Sequence, residues 1–182
     1  MPGRLGLVRN SDYAATLDGF LSDFRMKEPR RRFLAILALA VVVFTVYLLA
    51  TASPWLSAET VGFSGLPLGT LVTWAGIVSL PVATFFGFDE FLGRETRVAR
   101  TLRALMICML LLCAGWGIVS YALAGNWAFN FSNRAGSFQG SVLAGEVFWA
   151  YTISIVAMTL LASAALIALT RFSNRGGDPS KK

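Results

Sequence analysis

The chain has 182 residues, of which 55% are hydrophobic and only 14% charged, with sixteen Lys and Arg set against ten Asp and Glu. A soluble domain carries about 25% charged residues, and the mean hydropathy here is +0.63, so a water-soluble globule is excluded. A pI near 9.9 raises nucleic acid as a partner, but the basic residues cluster at the ends of apolar blocks rather than along a polar face. No nucleic-acid role is therefore expected.

Residues 1–32 form a mostly polar N-terminal segment, too long and too polar to be a signal peptide, which would place its apolar core near the start. From Ser11 a helix is expected. Ser11 suits the N-cap, Asp12 suits the positive end of the dipole, and Tyr13, Leu17, Phe20, Leu21 and Phe24 recur at helical spacing. This aromatic stripe runs into Arg25, Lys27, Arg30, Arg31 and Arg32, the pattern of an amphipathic helix lying in the interface with its cations near anionic lipid headgroups. A partner protein could dock on the same face.

Four apolar blocks follow: Phe33 to Ala52, Leu66 to Phe86, Ala104 to Ala124 and Val147 to Thr170. Each has roughly the 20 residues a helix needs to cross hydrocarbon, and none contains Asp, Glu, Lys, Arg or His. The expected fold is an all-α membrane protein, with transmembrane hairpins at 33–86 and 104–170 joined by a cytoplasmic loop at 87–103 and followed by a tail at 171–182. Fifteen of the sixteen basic residues fall in the N-terminal segment, the 87–103 loop and the tail; the exception is Arg134. By the positive-inside rule both termini are expected in the cytoplasm, and a bacterial inner membrane is the expected location.

Several positions read as surfaces for helix packing. Gly65 and Gly69 lead into the second span behind Pro67, and that span also carries Thr70, Thr73, Gly76, Ser79, Pro81 and Thr84. Pro81 frees a carbonyl one turn earlier, for which Ser79, Thr84 or a facing helix could supply a donor. The third span thins at Gly115 and Gly117, and the fourth carries Ala150, Ser154 and Ala157, small residues that let backbones approach. Between these spans, residues 126–145 mix Trp127, Phe129, Phe131 and Phe138 with polar residues and read as an interfacial flap.

The chemistry the chain lacks is as informative. It has no histidine, so the usual haem ligand and the commonest metal ligand are missing, and no cofactor or metal is expected. Cys108 and Cys113 lie mid-span on different faces and read as small packed hydrophobes; a quinone-linked thiol oxidoreductase would need reactive pairs near the outer surface. Carboxylates are absent from all four spans, which argues against a proton-coupled antiporter. No phosphate loop or nucleophile elbow is present. Catalysis would rest on Asp89, Glu90, Arg94, Glu95, Arg134 or Glu146, so a non-enzymatic role is expected.

One resemblance spans about residues 17–92. Leu17 to Leu21, the run Arg30 to Phe33, Tyr47, Pro54, the entry Gly65 to Gly69, and Phe88 with Asp89 together resemble the small two-span proteins of unknown function that accompany sodium:solute symporters such as acetate and monocarboxylate permeases. Members of that family usually end after two spans, whereas this chain has two more. The resemblance implies an accessory subunit that binds a symporter's transmembrane surface. Without it, the residues alone point to an accessory or structural subunit of a larger membrane complex. Two alternatives stand beside that reading: a small homo-oligomeric transporter or channel lined by Thr70, Thr73, Ser79 and Pro81, and a lipid-active enzyme using the Asp89 to Arg103 loop.

Overall fold

A computed structural model of the chain describes residues 28–60, 66–94, 96–128 and 138–175. The expected amphipathic helix, with Tyr13, Leu17, Phe20 and Phe24, lies outside the described residues, and so does Gly65. Among the described residues, four long helices span the membrane: α1 Glu28–Ala50, α2 Leu68–Gly87, α4 Arg97–Ala124 and α5 Val142–Arg175, with the single turn α3 Asp89–Leu92 between α2 and α4. Among the described residues there is no strand; one isolated bridge joins Glu59 to Pro67 at the α1–α2 connection. The protein is an all-α membrane protein.

α1, α4 and α5 begin before their apolar blocks, and their first residues give the reason. Glu28 and Pro29 open α1, where a proline at the first positions is preorganised and its missing N–H costs nothing. Arg30, Arg31 and Arg32 therefore belong to the first turns of the spanning helix. Thr96 caps α4 by accepting from the Ala99 backbone N–H at 3.2 Å, so Arg97, Arg100 and Arg103 ride on helix rather than loop. Ser141 accepts from the Ala144 N–H at 3.2 Å and starts α5 at Val142, inside the region read as a flap. At the far end of α4, Gly125 takes φ 76° and donates to the Tyr121 carbonyl, a left-handed cap that favours glycine. α1 stops where Ala52 turns to φ 45°, just before Pro54 and the 3-10 turn Pro54–Ser57.

At about 1.5 Å per residue, the 20 residues of α2 match the roughly 30 Å hydrocarbon core. The 34 residues of α5 overshoot it at the ends. α2, α4 and α5 pack on one another, while α1 rests on α2 and, among the described residues, makes at most marginal contact with any other element. Only 11% of the apolar window of α1 is buried, against 33% for α2. One core cluster gathers Ile77, Cys113, Trp116, Ala124, Phe148 and Ile155; a second gathers Leu92, Met106, Ala162 and Leu166 beneath Phe85, Phe88 and Phe91. Glu28, Asp89 and Thr170 line one shared cleft, so the start of α1, the end of α2 and the end of α5 lie at the same end of the molecule.

Candidate partner interface

α2 makes its neighbours by presenting different residues on opposite sides. Gly76 is buried against α1: a Cβ there would lie 2.5 Å from Cγ2 and 2.7 Å from Oγ1 of Thr45. Thr45, in turn, donates to the Val72 carbonyl at 3.1 Å, which holds its side chain over the glycine. Two residues earlier, and roughly 200° around the helix, Trp74 lies flat on α4. Its ring sits 2.7 Å from where a Gly117 Cβ would be, and its Nε1 donates to the Ala114 carbonyl at 3.0 Å.

The contact between α4 and α5 is also built from aromatic rings with polar tips. Trp116 is fully buried, donates to the Thr152 hydroxyl at 2.9 Å and packs beside Phe148, ring centroids 6.2 Å apart. Tyr151 donates to the Leu112 carbonyl at 2.7 Å. Thr70, buried on α2, donates to the Trp127 carbonyl at 2.7 Å and ties the start of α2 to the end of α4. Pro81 is buried in α2. Thr84 does not reach the carbonyl that Pro81 frees at Ile77: its hydroxyl bonds the Leu80 carbonyl at 3.1 Å and lies 2.7 Å from that of Ser163 on α5. The Thr73 and Ser120 hydroxyls are buried without a hydrogen-bond partner among the described residues.

The positions read as packing surfaces thus divide. Gly69, Gly76, Pro81 and Gly117 are buried and Thr73 is half-buried within the chain. A Cβ at Gly115 would meet nothing within 4 Å among the described residues, and Ala150, Ser154 and Ala157 are exposed. The buried stripe of α5 is Phe148, Ile155, Thr159, Ala162 and Leu166. At about 100° per residue, Ala150, Ser154 and Ala157 lie on the opposite side, and the exposed Ala164 and Ala168 continue their line on either side of the exposed Leu161. The outward face of α1 is different in kind: Phe33, Ile36, Val43, Phe44 and Tyr47 are all more than half exposed, large side chains suited to acyl chains.

At the arginine-rich end, Arg31 forms an ion pair with Asp89 at the start of α3, which latches α1 to the end of α2. Arg32 pairs with Glu28 one turn away. Arg30 is exposed. Arg94 lies 5.4 Å over the Phe91 ring, a cation–π contact. The Arg31 and Asp89 side chains keep 24% and 32% of their exposure. A double-mutant cycle with Arg31→Gln and Asp89→Asn should therefore return a small but measurable coupling of about 0.5–1 kcal/mol, read from unfolding in detergent. A coupling of zero would mean that the pair does not hold the helices.

Of the residues that catalysis would have needed, Asp89 is committed to Arg31 and Glu146 is exposed on α5; Glu95 and Arg134 lie outside the described residues. Cys108 is exposed on α4 and Cys113 is buried. Among the described residues, no three His, Cys, Asp or Glu side chains converge as a metal site. Thr45 and Trp74, the partners of the two packed glycines, carried no pattern in the sequence. No protein-family model, curated protein or solved structure gives a match to this chain.

Proposed function

We propose that the protein is a non-catalytic accessory subunit of a larger membrane complex, bound to its partner through the outward face of α5. One observation carries this reading: Ala150, Ser154 and Ala157 are exposed on the side of α5 opposite its buried stripe. Small residues gain less from lipid than large ones but allow a neighbouring helix backbone to approach closely, and helix association in a bilayer depends on that closeness. The large side chains facing outward on α1 suit acyl chains, so α5 is the favoured docking side. The resemblance of residues 17–92 to companions of sodium:solute symporters makes a symporter the specific candidate. The basic ends imply a bacterial inner membrane with both termini cytoplasmic, where Arg30, Arg97 and Arg100, all exposed, meet anionic headgroups.

The test is purification of the tagged native protein in mild detergent, with identification of what co-elutes. A larger integral membrane protein is expected in stoichiometric amount. Ala157→Leu, which adds bulk on the outward face, should reduce co-elution about tenfold, the equivalent of about 1.4 kcal/mol, while leaving membrane insertion and thermal unfolding unchanged. Recovery of the chain alone, or only as copies of itself, would contradict the proposal; the latter would favour the homo-oligomeric alternative.

A further inference from the structure

At the arginine-rich end, the start of α1, the α2–α3 corner and the end of α5 enclose a cleft of about 460 Å³. Its walls carry three arginines (Arg31, Arg32, Arg94), three carboxylates (Glu28, Asp89, Glu90) and the rings of Phe86, Phe88 and Phe91. We infer that this cleft binds the headgroup of a zwitterionic phospholipid bearing a phosphodiester and a primary ammonium, of the phosphoethanolamine class. The inference is independent of the subunit reading and needs only the four spans.

Depth comes first. The cleft lies where four apolar helices give way to charge, with Phe86 at the end of α2 below it and Asp89 and Glu90 at the start of α3 above. That is the level at which phosphate and glycerol of a bilayer lipid lie, with the acyl chains free to follow the exposed flank of α1. Charge comes second. The lining is balanced, three cations against three anions, and Arg31 and Arg32 already hold Asp89 and Glu28. A purely anionic headgroup would gain from the arginines and lose to the carboxylates at the same short range. A zwitterion offers each sign a partner.

The unmet groups fit the two ends of such a headgroup. Arg31 Nε is buried with no hydrogen-bond partner among the described residues, a donor that a phosphate oxygen would satisfy. Glu90 is exposed and forms no ion pair among the described residues, which leaves its carboxylate to accept from an ammonium. A trimethylated ammonium can lie on the aromatic walls but has no N–H to give Glu90. That difference separates ethanolamine from choline.

Purified, delipidated protein is titrated with three lipids of identical acyl chains whose headgroups are phosphoethanolamine, phosphocholine and phosphoglycerol, with bound lipid counted by native mass spectrometry. The phosphoethanolamine lipid should bind about tenfold more tightly than the phosphocholine lipid, the worth of one charge-assisted hydrogen bond. Glu90→Gln, an exposed change that leaves the fold intact, should erase that preference. Equal binding of all three, preference for phosphoglycerol, or a preference that survives Glu90→Gln would each overturn the inference. So would free phosphoethanolamine binding as tightly as the lipid, since a soluble phosphate ester would then be the ligand.

Discussion

Gly76→Leu is expected to separate α1 from α2 while the other three helices stay packed. Any side chain at position 76 must enter the space of Thr45, whose Cγ2, Oγ1 and Cβ all lie within 2.8 Å of the first added carbon. Overpacking a tight contact costs about 1–3 kcal/mol when neighbours can shift. Here Thr45 is held over the glycine by its bond to the Val72 carbonyl, and among the described residues α1 has no other substantial neighbour than α2 apart from the Arg31–Asp89 ion pair. Hydrogen–deuterium exchange in detergent should show faster exchange along α1 with protection retained in α4 and α5. Unchanged exchange in α1 would mean that this glycine is not where the hairpin closes. Because Gly76 is internal, this variant probes the hairpin itself, whereas Ala157→Leu probes the outward face.

Trp116→Ala should be the most damaging single truncation in the α4–α5 contact. Trp116 is wholly buried, the largest side chain in the interior to be so, and it both packs on Phe148 and donates to Thr152. Removing a buried tryptophan costs about 3–5 kcal/mol. Trp116→Phe keeps most of the packing and loses the hydrogen bond, so about 1 kcal/mol is expected; Thr152 keeps its own bond to the Phe148 carbonyl at 2.8 Å. Reversible unfolding in mixed micelles of increasing denaturing detergent would rank the three proteins. Equal stability of Trp116→Ala and Trp116→Phe would show that cavity formation is not the dominant loss.

The spans were legible because each apolar block is long and free of charge, and lipid is the only solvent such blocks suit. Their ends were less so. Arg97 to Arg103 read as loop because arginine ends an apolar run, yet the Thr96 cap carries the helix through them and long side chains keep their charges in the headgroups. The packing site divides in the same way. Gly76 and Gly117 stand out as small residues, but Thr45 is one hydroxyl in an apolar run and Trp74 one ring among many, and neither has a period that points at its partner. On α5, small residues occur on both faces: Ala162 is buried and Ala157 exposed. Spacing alone cannot say which of the two turns inward. The Arg31–Asp89 pair joins residues of two different elements, and charge sign alone did not select Arg31 from its neighbours Arg30 and Arg32.

That α5 meets another protein inside the bilayer can be tested where it happens. With a photo-crosslinking amino acid in place of Ala157, irradiation of intact membranes should yield a covalent adduct to a larger integral membrane protein, identifiable by mass spectrometry. The same probe at Phe44 on the outward side of α1 should yield mainly lipid. If the Ala157 probe captured only lipid, or only further copies of this chain, the account of the protein as an accessory subunit would fail.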